Sequence, residues 1–237
     1  LKTSSTSNSS SDQDPHFVHR AFSSIAHRYV LTNHILSAGI DIFWRKKVAR
    51  LLAGENPKII LDVATGSGDL AMAVAKGCPE AKIIGADFCA PMLECAQKRG
   101  LTDLIVADGM NLPFASDSFD ALTIGYGLRN MENWAGAISE FSRVIRPGGK
   151  LVVLDFSLPV SKWLRGPYRF YLHRILPLIA GALTGNREAY AYLGDSIERF
   201  PSGRKMVELI ESNGFRDARS FSLMGGISSI YFAEKKS

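Results

Sequence analysis

From Pro57 onward the chain alternates short apolar runs with amphipathic stretches, and this alternation constrains its fold more than any other feature. The first run, Lys58 to Ala64, is nearly continuous in apolar residues, the pattern of a strand buried on both faces. A glycine loop and a helix from Leu70 to Lys76 follow it. Strand Lys82 to Asp87, helix Pro91 to Arg99, and strands Leu104 to Asp108 and Phe119 to Tyr126 come next. Helix Trp134 to Ile145 leads through Arg146-Pro147-Gly148-Gly149 into strand Lys150 to Phe156. Strands alternating with helices predict an α/β, doubly wound, mostly parallel sheet. The ending departs from that rule. After helix Gly203 to Asn213, two runs, Ala218 to Leu223 and Ile227 to Ala233, are joined only by Met224-Gly225-Gly226. So short a link forces an antiparallel hairpin, giving seven strands in all.

The remaining segments attach to this frame. With 237 residues, the chain has room for one domain over 15–237. A Ser/Thr/Asn-rich tail over 1–14 has almost nothing to bury and is expected to be disordered. Helical spacing over 15–55, with a break near Ser37-Ala38-Gly39, predicts two or three N-terminal helices. An insertion over 157–200 after the fifth strand reads as a helical lid. Three cysteines without a Cys-x-x-Cys pair exclude a disulfide scaffold or zinc ribbon and suit a reducing, cytoplasmic setting. No apolar run reaches the ~18–20 residues of a membrane span.

The loop Gly66-Ser67-Gly68-Asp69-Leu70-Ala71 fits G-x-G-x-x-A between strand and helix. That pattern alone suits a nicotinamide or flavin dinucleotide equally well. Charge divides the options. Asp62 precedes the loop and Asp69 opens the helix, so a pyrophosphate there would meet two carboxylates. A ligand carrying an ammonium and a sulfonium would be attracted by both. Asp87 closes the second strand, where a carboxylate accepts both hydroxyls of a ribose, and Asp108 closes the third, near an adenine edge.

Beyond this loop, Leu61-Asp62-Val63-Ala64-Thr65-Gly66-Ser67-Gly68-Asp69 resembles the first motif of class I S-adenosylmethionine methyltransferases. Leu112-Pro113-Phe114 with Ser118-Phe119-Asp120, Tyr126-Gly127-Leu128-Arg129-Asn130, and Arg143-Val144-Ile145-Arg146-Pro147-Gly148-Gly149 narrow the resemblance to the menaquinone/ubiquinone C-methyltransferase family. Asp155-Phe156-Ser157, Tyr190-Ala191-Tyr192-Leu193 and the N-terminal Tyr29…Asn33…Trp44 match as well. The sequence departs from the family at Val30, Thr65, Ser67, Gly109-Met110 and Asp155. The resemblance implies a Rossmann-like fold and methylation of a demethylated isoprenoid quinol, with S-adenosylmethionine leaving as S-adenosylhomocysteine and no metal. It places the cofactor on Asp62, Thr65, Gly66, Ser67, Gly68, Asp87, Phe88, Asp108, Gly109 and Gly125. Catalysis falls to Arg129, Asn130, Tyr126 and Asp155, and substrate contacts to Tyr29, Tyr190 and Tyr192. Arg129 is expected to sit beside a developing phenolate, whose formation from a phenol of pKa ~10 costs about 4 kcal/mol at pH 7. The proton acceptor stays open. So does the choice between demethylmenaquinol and a ubiquinol precursor or another phenolic or lipid acceptor.

The net charge of +5 is local rather than general. Between Asp155 and Glu188 no acid occurs, while Lys162, Arg165, Arg169, Arg174 and Arg187 alternate with large apolar side chains. That mixture fits a peripheral contact with the anionic inner face of a membrane, where a lipophilic quinol would be met, or a packed lid with a basic edge. It gives no reason to expect a nucleic acid partner. A homodimer is compatible with the sequence and is left open.

Overall fold

The computed structural model describes residues 39–178, 181 and 187–237, with the side chains of 187–191 outside it. The expected tail, the helices before Gly39, and Tyr29 lie outside the described residues. Helix α1 (Ile40–Ala53) starts after Gly39, whose φ of 75° favours a residue without Cβ. The alternating part runs β1 (Ile59–Val63), α2 (Asp69–Gly77), β2 (Lys82–Asp87), α3 (Ala90–Lys98), β3 (Leu104–Val106), β4 (Phe119–Gly125), α4 (Trp134–Val144) and β5 (Ile145–Phe156). The insertion carries α5 (Lys162–Phe170), a π-helical turn (Tyr171–Ile175) and α6 (Arg187–Arg199). Helix α7 (Arg204–Ser212) then leads to β6 (Phe215–Leu223) and β7 (Ser228–Lys235).

The seven strands form one sheet in the order β3-β2-β1-β4-β5-β7-β6. β1 pairs in parallel with β2 and β4, and β7 runs antiparallel between β5 and β6. The expected architecture is therefore present. Both faces of the central strands are covered, which is why β1 and β4 read as continuous apolar runs. Leu61, Leu122, Leu151 and Val153 pack on one face with Ile138 and Phe141 of α4 and Met206 and Ile210 of α7. Ile60, Ala121, Val152 and Leu154 pack on the other with Trp44, Val48 and Leu52 of α1 and Val74 of α2. Each fully buried aliphatic side chain contributes about 1.5–3 kcal/mol.

Two local expectations are corrected. The Arg146-Pro147-Gly148-Gly149 turn lies inside β5, because the ladder to β4 starts at Phe119–Ile145, skips, and resumes at Ala121–Lys150. The third strand stops at Val106, and Asp108 instead forms an isolated bridge with Asn111.

Candidate active site

The strand order reverses between β1 and β4, and a crevice opens there at the carboxyl ends of the parallel strands. A cavity of about 270 Å³ occupies it. One flank is the loop Ala64–Ser67 with Asp69 and Leu70 of α2; the ends of β2 and β3 supply Asp87, Phe88, Asp108 and Gly109. The end of β4 supplies Gly125, Tyr126 and Asn130.

Loop geometry follows from its hydrogen bonds. Gly66 N–H donates to Asp87 Oδ2 and Cys89 N–H to Asp87 Oδ1, both at 2.8 Å. Asp87 thus ties the glycine loop to the end of β2 while lining the cavity. Asp69 Oδ2 accepts from Ser67 Oγ at 2.7 Å and Oδ1 from Arg99 Nη2 at 2.8 Å. Burial pushes the Asp69 carboxyl up, but the Arg99 hydrogen bond, Arg45 and Ser67 outweigh it and hold it below the usual range. A charged acid therefore stands at the helix N-terminus, where a pyrophosphate would be repelled.

Two of the expected cofactor residues lie outside the cavity wall. Asp62 is outside the cavity wall: its oxygens accept from Thr65 Oγ1 at 2.6 Å and Thr123 Oγ1 at 2.5 Å beneath the loop. Asp62 thus supports the loop from below. Burial pushes its carboxyl up to about 6, with the Thr123 and Thr65 hydrogen bonds opposing. Gly68 also lies outside the wall. Its φ of 82° and the 2.3 Å that would separate an added Cβ from Leu101 Cδ1 account for glycine there. Thr65, Gly66, Ser67, Asp87, Phe88, Asp108, Gly109 and Gly125 all line the cavity.

The catalytic set divides in two. Tyr126 and Asn130 line the cavity; Arg129 and Asp155 do not. Arg129 Nη1 pairs with Asp155 Oδ1 at 2.9 Å, the Arg129 backbone N–H donates to Asp155 Oδ2 at 3.2 Å, and both residues are buried. Arg129 Nη1 also donates to the Tyr126 carbonyl, and the guanidinium lies 5.3 Å from the Phe156 ring centre. Burial raises the Asp155 carboxyl, with Arg129 the main opposing influence. Arg129, expected beside a phenolate, is placed outside the cavity wall, where it pairs with Asp155 and fixes the 3-10 turn Leu128–Asn130. Tyr126 itself has φ 59°, a strained value for a residue with Cβ, and burial pushes its phenol up. Tyr192, on α6, is also outside the cavity wall, and the Tyr190 side chain lies outside the described residues.

The model of the ubiE/COQ5 methyltransferase family matches residues 7–235. The chain belongs to this family. A demethylmenaquinone methyltransferase of Thermus thermophilus is 41% identical over 219 residues, covering 90% of this chain and 99% of that protein. A ubiquinone/menaquinone biosynthesis C-methyltransferase of Syntrophotalea carbinolica is 42% identical over 215 residues, covering 89% and 90%. Among solved structures, an S-adenosylmethionine-dependent methyltransferase of Thermotoga maritima superposes with a TM-score of 0.65 at 17% identity, covering 92% of this chain and 99% of that one. That likeness is one of fold. Family and fold together support the use of S-adenosylmethionine by this methyltransferase, and the acid-lined cavity fits such a group. Among the described residues, no cluster of three or more His, Cys, Asp or Glu is arranged to hold a metal.

Sequence reasoning missed Arg45, Met92, Met110, Met131 and Glu132 in the methyltransferase's cavity wall. Arg45 carried a readable signal: an arginine four residues after Asp41, on the helix face that buries Trp44, Val48 and Leu52. Met110 and Met131 carried none, since apolar residues in loops give no period, and Met92 reads as an ordinary core position of α3.

Proposed function

We propose that this methyltransferase moves the methyl group of S-adenosylmethionine to a ring carbon of a demethylated isoprenoid quinol, demethylmenaquinol, giving menaquinol. The observation that carries the cofactor half is the cavity at the β1/β4 switch point, with Asp87 at the ribose position and a charged Asp69 beside the loop. Support for the acceptor comes from the names of the relatives above. When bound, S-adenosylmethionine supplies an electrophilic methyl on a sulfonium. With the group bound beside Asp69 and Asp87, a ring carbon of the acceptor would take the methyl as the C–S bond breaks, and the ring C–H proton would pass to a base at the cavity mouth near Tyr126 and Asn130. The acceptor must be the hydroquinone, because an oxidised quinone is electron-poor and a weak nucleophile.

In this reading Tyr126 and Asn130 orient the ring at the mouth of β4, and the buried Arg129–Asp155 pair holds the turn that presents them. Aligning donor and acceptor atoms is worth up to ~7–11 kcal/mol in well-oriented systems. Entry of the acceptor from a lipid surface is part of the proposal. The start of β7 pairs with the end of β5, so Met224–Gly226 lies at the same end of the sheet as the cavity. Gly226 packs beside Pro159 and Val160, and Gly225 beside Leu164. Val160, Trp163, Leu164 and Met224 thus form an exposed apolar patch, with Trp163 91% exposed and Lys162 and Arg165 next to it. One expectation about this segment is corrected: Glu198 of α6 pairs with Arg169 at 2.7 Å, so the basic window is partly compensated. No helix among the described residues is long and apolar enough to cross a membrane.

Calorimetry separates the cofactor reading from a dinucleotide one. S-Adenosylhomocysteine should bind and NADH should not; the reverse result overturns the proposal.

A further inference from the structure

Helix α3 ends in a turn that reaches back to the glycine loop. Gly100, at φ 102°, closes the helix: its N–H donates to the Gln97 carbonyl at 3.0 Å, and the Leu101 N–H donates to the Ala96 carbonyl at 3.2 Å. A left-handed glycine followed by an apolar residue that folds back is what Arg99-Gly100-Leu101 encodes. The turn lays Leu101 against Gly68, in the space a Cβ there would need. It also aims Arg99 at the loop from outside the cavity wall. Arg99 Nη1 donates to the Ser67 carbonyl and Nη2 to Asp69 Oδ1, each at 2.8 Å.

Those two acceptors flank Gly68, which has φ 82° and precedes α2 with no side-chain hydrogen bond capping the helix. Rotation about Gly68 sets how the loop meets the helix, and glycine resists that rotation least of all residues. A planar guanidinium bound on both sides of the joint fixes them together. The Ser67 hydroxyl closes the circuit on Asp69 Oδ2 at 2.7 Å. Charge follows the same contacts. Burial is the largest influence on the Asp69 carboxyl and pushes it up; the Arg99 hydrogen bond leads those that hold it down, ahead of Arg45 on α1 and Ser67. Arg45 is shared with Asp41, so Arg99 is the cation that bonds Asp69 directly.

We propose that Arg99 is a positioning residue for the cofactor: by bridging Ser67 and Asp69 across Gly68, it holds the glycine loop in the shape that receives the ligand. This rests on the cofactor reading above, and Arg99, outside the cavity wall, acts only through the loop. Its side chain is 33% exposed, so its replacement should leave the core packed.

The test reads affinity, pH dependence and loop exchange together. Calorimetry on Arg99→Met should show S-adenosylhomocysteine bound about tenfold more weakly at pH 8. The deficit should widen toward pH 6, because Asp69 without Arg99 takes up its proton at higher pH and loses the charge beside the loop. Arg99→Lys, a point charge without the fork, should keep the shallow pH dependence of the unaltered protein and recover only part of the affinity. Hydrogen exchange at the Gly68 amide, which donates to the Thr65 carbonyl at 2.8 Å, should quicken in Arg99→Met while the amides of β1 and β4 keep their rates. The loss in methyl transfer should fall on KM for S-adenosylmethionine more than on kcat. Affinity within twofold of the unaltered protein would overturn the proposal. So would a pH-independent loss with faster exchange throughout the sheet, which would make Arg99 a support for the fold alone. Full recovery in Arg99→Lys would also overturn it, since charge without the two-sided bridge would then suffice. If the unaltered protein does not bind S-adenosylhomocysteine, the cofactor reading itself fails, and exchange at Gly68 in Arg99→Met still decides whether Arg99 holds the loop.

Discussion

Replacing Asp62 with Asn should stabilise the protein near neutral pH, and the gain should fade in acid. Asp62 is 1% exposed, and burial pushes its carboxyl from 3.8 up to about 6. For an acid whose folded value lies above its unfolded one, the folded state binds more protons between the two. Stability therefore falls as pH rises through that window and stays at the lower level above it. Integrated over the window, the ionised Asp62 costs the fold about 3 kcal/mol at pH 8 and about 1.6 kcal/mol at pH 5. Asparagine is neutral throughout, and its carbonyl still accepts from one of Thr65 and Thr123, whose hydroxyls bond both carboxylate oxygens now. Losing or reversing the other bond costs about 1 kcal/mol. The net expectation is a gain of about 2 kcal/mol at pH 8 that shrinks by about 1.4 kcal/mol on going to pH 5. Urea unfolding of both proteins across that range, with equal m values, measures the difference directly. Other groups pull the opposite way: Asp69, Glu140 and Glu198 are held below their usual range, so their stabilisation is lost as pH falls. Taking the difference between the two proteins cancels them. A variant less stable at every pH by a constant amount would refute the reasoning, because the ionic hydrogen bonds would then outweigh the cost of burial.

Two further outcomes follow from the buried Arg129–Asp155 pair and from the insertion. Arg129→Met should lower stability by about 3–5 kcal/mol by leaving Asp155 charged and buried, and Arg129→Met/Asp155→Leu should recover most of it in thermal unfolding. Recovery absent from the double variant would mean the pair is not what holds the turn. Sedimentation with anionic vesicles should weaken as salt rises and be lost when Lys162, Arg165 and Arg174 become Glu or when Trp163 becomes Ser. Equal recovery with neutral and anionic vesicles, or none with either, would leave the insertion as a packed lid.

The sheet was legible because its strands are buried on both faces and bounded by turn residues; β2 matches its predicted span end to end. The Arg146–Gly149 segment was misread since Pro and Gly do mark a departure from the ladder, yet β5 resumes its pairing beyond it. Site residues were legible as positions but not as directions. Asp62 and Asp87 both lie near strand ends next to the loop and share a face of the sheet, since Asp62 pairs with Gly85; the register sets Asp62 about two residues deeper, under the loop beside Thr123, while Asp87 lines the cavity. Arg129 and Asn130 are neighbours in one motif, and the 3-10 turn sends one inward to Asp155 and the other to the cavity wall. Arg45 was read only as part of a helical stretch, because its role depends on α1 docking beside α2, a long-range contact that sequence period does not encode.

The central claim is tested by following label from methyl-labelled S-adenosylmethionine into short-tailed demethylnaphthoquinol and its benzoquinol counterpart, each supplied reduced and oxidised. The account predicts label on a ring carbon of the reduced naphthoquinol, S-adenosylhomocysteine formed in equal amount, and none with the oxidised ring. Transfer to oxygen, equal transfer to the oxidised quinone, or transfer confined to the benzoquinol would contradict it.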